Sequence, residues 1–263
     1  MATPIANKFE ITLDGEAIPV EYPTNTKSDE HVLFILNEPK VVEYFTTLSP
    51  DIVASKITIL SDFMFGKRLG FLLMNIDCID RASGKKLAGV VFLRGDSVAC
   101  LILIKNKETG KLYFAKVIQP RVPCGKSITE ICAGMMDDKI GKMLGVMISE
   151  VEEELGIRVE TTGSKTTDPA LQFNYMEKLG QFTPSGGATC ENITNFWYMA
   201  EMTSSEITAL HGKEIANDAG QSTELIRVEL QEFNMRNIVA TEDAKAMCAT
   251  LQLMSLYPWF VPS

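Results

Sequence analysis

The stretch ISEVEEELG, residues 148–156, places four carboxylates, Glu150, Glu152, Glu153 and Glu154, within five positions. Like charges at this spacing cost a few tenths of a kcal/mol per pair on an exposed helix, and more where water is partly excluded. At ~100° per residue, Leu144, Met147, Ile148, Val151 and Leu155 fall on one apolar stripe, so the spacing predicts a helix over 142–155 with a core face. Glu150 and Glu154 border that stripe, Glu153 lies beside Glu150 farther round, and Glu152 falls on the opposite flank. Three acids converge and one stands aside. Upstream, EICAGMMDD offers a loop at Gly134; downstream, Gly156 closes the helix. Loop, three convergent carboxylates and second loop make an oxygen-rich site suited to a hard divalent cation such as Mg²⁺, which pairs with phosphate oxygens. A solvated acidic face is the other reading of the same residues.

The elements around this helix follow from patterning. FEITLDGEAIPVEY alternates apolar residues about Asp14-Gly15 and predicts a hairpin. Asn37 ahead of Pro39 predicts a helix start, with Val41, Val42, Tyr44 and Phe45 as its apolar face. Between 57 and 121, apolar β-branched segments alternate with turn signals at Ala82-Ser83-Gly84 and Glu108-Thr109-Gly110, which predicts consecutive strands. Further strands are expected over Phe196–Met202 and Leu225–Leu230, and a closing helix over Glu242–Met254. The expected class is α+β, with helices flanking a mixed sheet.

Composition narrows the functions. A chain of 263 residues with 46% hydrophobic and 22% charged residues is a folded protein. Its net charge of -9 argues against coating nucleic acid or anionic membrane, so the reading is no nucleic acid and no membrane partner. The six cysteines show no metal-ligand spacing and read as reduced thiols, and no apolar run approaches the ~18 residues of a span; the expected location is cytoplasmic. His31 and His211 have no evident partner in sequence.

Taken whole, GMMDDKIGKMLGVMISEVEEELGI resembles the Nudix box, G-x5-E-x7-R-E-U-x-E-E-x-G-U, where U is aliphatic. Gly134, Glu150, Val151, Glu153, Glu154, Gly156 and Ile157 match it. Ser149 stands where the pattern has Arg, the earlier Glu falls at Gly141, and the spacing from Gly134 to Ser149 is one residue longer. That longer spacing is similar to the plant-type ADP-sugar diphosphatase and ADP-ribose pyrophosphatase subgroup, as are FMFGKRLGF, VVFLRGDSVACLILI, QPRVPCGK, EICAGM, PSGG and HGKE, over roughly 57–230.

The resemblance implies a Nudix fold, a mixed sheet in an α/β/α sandwich spanning 86–263, preceded by a small β-rich domain over 1–85 that dimerises. It implies that Glu150, Glu153, Glu154 and the carbonyl of Ala133 hold Mg²⁺ or Mn²⁺, with the same three carboxylates catalytic. Arg121 would meet substrate phosphate, and Arg94, Gly134, Ser185 and Gly187 would contact substrate; Glu191 or Glu224 would supply a further ligand or general base. The implied reaction divides a nucleoside diphosphate sugar (an ADP-sugar, ADP-ribose or a UDP-sugar) into a nucleoside monophosphate and a sugar phosphate. On a helix, Ser149 lies one turn before Glu153, where an Arg could pair with it; Lys142, two turns from Glu153 by helical phase, is a poor replacement. A Nudix-fold protein that binds a nucleotide or a protein partner without hydrolysis is the alternative.

Overall fold

A computed structural model of the chain describes residues 5–23, 27–136, 143–159, 175–219, 222–258 and 260. The chain folds as two compact units, Met1–Gly95 with Thr183–Glu191, and Asp96–Phe182 with Asn192–Ser263.

In the first unit, β1 (Ile5–Leu13) and β2 (Glu16–Pro23) form the expected hairpin. Asp14 at φ 50° and Gly15 at φ 82° make its turn, the left-handed pair that matches strand twist. Two helices follow, α1 (Asp29–Asn37) and α2 (Pro39–Thr46), then β3 (Ile52–Phe65), β4 (Arg68–Asp80) and β5 (Val90–Leu93). The sheet order is β1-β2-β3-β4-β5, with β2 and β3 parallel. Asn37 does not start a helix: it ends α1, and Glu38 caps α2. The ring of Pro39 holds Glu38 extended (ψ 133°), so the break falls one residue later than the sequence suggested. Val32, Ile35, Val41 and Phe45 cover one sheet face through Val20, Ile57, Ile59, Leu72 and Met74. Because β5 pairs with β4 and Phe92 bridges Thr189, this unit runs past the expected boundary at 85/86 to Gly95 and takes in 183–191.

The second unit holds β6 (Ser97–Asn106), β7 (Leu112–Arg121), β8 (Lys126–Glu130), β9 (Ala133–Met135), α3 (Met143–Leu155), β10 (Glu177–Phe182), β11 (Ile193–Met202), α4 (Ser204–Leu210), β12 (Glu214–Ala219), β13 (Ser222–Glu232), α5 (Met235–Val239) and α6 (Ala244–Leu256). The sheet runs β10-β11-β6-β7-β13-β12, mixed because β11 and β6 are parallel; β8 adds to β7 and β9 to β6. Alternate residues of β6 divide the two cores. Val98, Cys100, Ile102 and Ile104 pack with α3 and α4, while Ala99, Leu101 and Leu103 pack with α6. Helices on both faces explain why SVACLILI is buried throughout instead of alternating. The class is α+β, as expected.

Candidate functional site

The site begins at the short strand β9. The Cys100 N–H donates to the Cys132 carbonyl and the Met136 N–H to the Asp96 carbonyl, both at 2.9 Å. In this antiparallel register Gly134 bonds opposite Val98, so the intervening Ala133 turns its N–H and its carbonyl away from β6. Glu154 meets that edge: its Oε2 accepts from the Ala133 N–H at 3.3 Å, and its Oε1 accepts from Gln119 Nε2, on β7, at 2.9 Å. The wholly buried Cys132 thiol favours the charged form of the same carboxylate. Burial pushes the Glu154 pKa up; the bonds from Cys132, Gln119 and Ala133 and the charge of Arg121 oppose the rise without cancelling it.

Glu154 therefore belongs to the core face of α3, where the sequence placed it on a flank. Val146, Met147, Val151, Glu154 and Leu155 are buried, whereas Leu144, expected in the apolar stripe, is 43% exposed. The stripe is rotated by a fraction of a turn because the helix docks against β9 as well as the central strands. Glu150, one turn earlier, lies against Gly134, where a Cβ would approach its Oε1 to 2.0 Å. Glu153 is exposed, and Glu152 is exposed on the other side, its Oε1 3.4 Å from the Val159 N–H. Among the described residues no group of three His, Cys, Asp or Glu side chains is drawn together as a metal set.

The remaining residues are distributed as follows. Arg121, at the end of β7, bonds Glu130 through its Nε at 2.5 Å, and Lys245 on α6 takes the other Glu130 oxygen at 2.7 Å. Glu224 is on β13 opposite Asn217, with its side chain outside the described residues. Arg94, Ser185, Gly187 and Glu191 belong to the first unit. There Arg94 and the buried Glu191 form an ion pair at 3.5 Å, Arg94 sits over the Phe71 ring, and the Ser185 carbonyl accepts from Ala188 and Thr189 in a turn. Ser149 is exposed, and its hydroxyl donates back to the Gly145 carbonyl at 3.1 Å rather than toward Glu153. Gly141 and Lys142 lie outside the described residues. Both histidines have partners: His31 bonds Asp62 at 2.8 Å, and His211 Nδ1 accepts from the Leu230 N–H at 3.1 Å.

Sequence reasoning missed Gln119 and Cys132. A signal existed for Gln119: Ala115 and Val117 on β7 are buried at the same strand parity, so a polar residue two positions on points toward the covered face. Nothing local distinguishes Cys132 from the other five free cysteines.

The donors present are suited to a hard cation. Glu150 lies against Gly134 and Glu154 against Ala133, consecutive residues of β9, and carboxylate and carbonyl oxygens of this kind are the donors that Mg²⁺ or Mn²⁺ would take in preference to softer ions. Over 155 residues the chain is 37% identical to Nudix hydrolase 14, chloroplastic, of Arabidopsis thaliana. The chain is a relative of a Nudix hydrolase. The match covers 57% of this chain and 47% of that protein, so the chain spans about half the length of its curated relative. No family model matches the chain. A crystal structure of an ADP compounds hydrolase aligns with a TM-score of 0.48 and 11% identity, over 77% of this chain and 95% of that one.

Proposed function

We propose that the protein hydrolyses the diphosphate bond of nucleoside diphosphate sugars, namely ADP-sugars, ADP-ribose or UDP-sugars, giving a nucleoside monophosphate and a sugar phosphate. The observation that carries this reading is the approach of Glu150 and Glu154, on one helix, to the adjacent residues Gly134 and Ala133. In this reading Glu150, Glu153, Glu154 and the Ala133 carbonyl hold Mg²⁺ or Mn²⁺. A bound dication supplies neutralisation of the diphosphate and a more acidic water. Exposed Glu153 swings in from solvent, and buried Glu154 is held ready by its hydrogen bonds. Arg121 is proposed to meet substrate phosphate, which a guanidinium can do bidentately. Arg94, Gly134, Ser185 and Gly187 are proposed substrate contacts, with Glu191 or Glu224 as further ligand or general base. The first unit is proposed to dimerise. The proposed compartment is the cytoplasm, in keeping with six free cysteines; the plant relative is chloroplastic by name.

A second reading, nucleotide binding without hydrolysis, is favoured by one observation: Ser149 in the box-arginine position is bonded back to its own helix and supplies no charge to the acids. A panel of ADP-ribose, ADP-glucose and UDP-glucose with Mg²⁺ or Mn²⁺, run on wild type and Glu154→Gln, separates the two. Turnover lost in Glu154→Gln supports hydrolysis; binding of these compounds with no turnover in wild type supports the second reading.

A further inference from the structure

Glu154 is held by two donors that come from outside its own helix. Gln119 Nε2 reaches its Oε1 at 2.9 Å and the Ala133 N–H reaches its Oε2 at 3.3 Å, while the nearby Cys132 thiol favours the charged form of the same carboxylate. Every one of these donors is neutral. The carboxylate is almost fully buried, as is Gln119, and Cys132 is wholly so. On α3, Ser149 gives its hydroxyl to the Gly145 carbonyl at 3.1 Å. A buried carboxylate with both oxygens engaged keeps one rotamer, and each oxygen retains a lone pair beyond the bond it accepts.

We infer that Gln119 and Cys132 are positioning residues that fix Glu154 as a metal ligand before metal arrives, so that the orienting role open at Ser149 is filled by β7 and the residue preceding β9. This inference rests on the metal-site reading proposed above. Neutral donors suit the task for a physical reason. A guanidinium beside Glu154 competes with the dication for the carboxylate charge, whereas an amide and a thiol orient the oxygens and leave most of that charge to the cation. The amide and the thiol also come from separate segments, Gln119 from mid-strand β7 and Cys132 from the residue just before β9, so loss of either leaves the other in place.

Titration of Mn²⁺ alone into the full-length chain, followed by calorimetry, tests this, with thermal unfolding in EDTA as the control on folding. Gln119→Met removes the amide donor at similar volume. Cys132→Ala removes the thiol, while Cys132→Ser keeps a donor in its place. The expected result is a Mn²⁺ dissociation constant about 10- to 100-fold higher in Gln119→Met and in Cys132→Ala, with Cys132→Ser close to wild type. A merely structural role predicts lower unfolding temperatures in EDTA with Mn²⁺ affinity as in wild type, and that result overturns the inference. If Gln119→Met does not fold, the contrast between Cys132→Ala and Cys132→Ser decides. Glu154→Gln separates the two levels of the argument. Should wild type bind no Mn²⁺, or Glu154→Gln bind it equally well, the metal-site reading fails and takes this inference with it; should Glu154→Gln alone weaken binding, only the positioning roles fail.

Discussion

Gly134 and Glu150 occupy each other's space: a Cβ on Gly134 would come to 2.0 Å from Glu150 Oε1, so the carboxylate lies against β9 only because residue 134 has no side chain. The obstructing atom is the far end of a flexible side chain, and Gly134 is not among the left-handed glycines. Gly134→Ala is therefore expected to fold, with an unfolding temperature close to wild type, while displacing the carboxylate and weakening Mn²⁺ binding about tenfold or more. Calorimetry and a melt on the same sample check both halves. Wild-type Mn²⁺ affinity in this variant would remove Glu150 from the ligand set.

Gly89 gives the opposite outcome. A Cβ there would meet the backbone oxygen of Ile76 at 1.8 Å, in the stretch where the Ile76 N–H bonds the Gly89 carbonyl at 2.8 Å. Backbone cannot step aside as a side chain does. Gly89→Ala should cost the first unit about 2–3 kcal/mol, measured by urea unfolding. Mn²⁺ affinity should not change.

The buried Glu130, between Arg121 and Lys245, sets a pH window for stability. Burial alone would raise its carboxyl, but Lys245 and Arg121 outweigh burial and hold it below the usual range. Burial alone would lower Lys245, but Asp243 and Glu130 hold its ammonium above the usual range. The Glu130 contribution is present above about pH 4.3, its unfolded value, and is lost as pH falls through the depressed folded value; the Lys245 contribution is full below about pH 10.4 and is lost as pH rises through the raised one. Lys245→Met should cost about 3 kcal/mol at pH 7, the scale for breaking a buried pair, and should shrink the loss of stability on acidification. Urea unfolding of wild type and variant between pH 3.5 and 9 reads both effects. Parallel curves would show that Lys245 does not hold the carboxylate.

Ser149→Arg should leave Mn²⁺ affinity and unfolding temperature unchanged, because the position is exposed and Glu154 already has its donors. A tenfold gain in affinity would show that the serine leaves the acids poorly ordered and that Gln119 and Cys132 do not suffice to position Glu154.

Much of the fold was legible because its signals are local. The turn at Asp14-Gly15 and the breaks at Gly84 and Gly110 need left-handed backbone, and the chain places glycine there. The period change after β9 announced α3. Helix α1 was not seen: DEHVLFILN is nine residues long, and Pro39 drew the helix start to its own side of the break. The acids of α3 were legible in order but not in phase. A helical wheel gives the angle between residues; which angle faces inward is settled by whatever the helix docks on, and here β9 turned Glu154 inward and Leu144 out.

The sequence by itself determined the ingredients: the acidic helix, the glycines on either side of it, the succession of strands and the likeness to the Nudix box. Those follow from short-range sterics and side-chain period, which act over a few residues. The tertiary structure alone decided which polar groups meet. Gln119 and Glu154 are separated by 35 residues, Glu130 and Lys245 by 115, and no local pattern encodes either pair. Burial is what made those meetings obligatory, because a carboxylate removed from water needs donors or a cation wherever the fold can supply them.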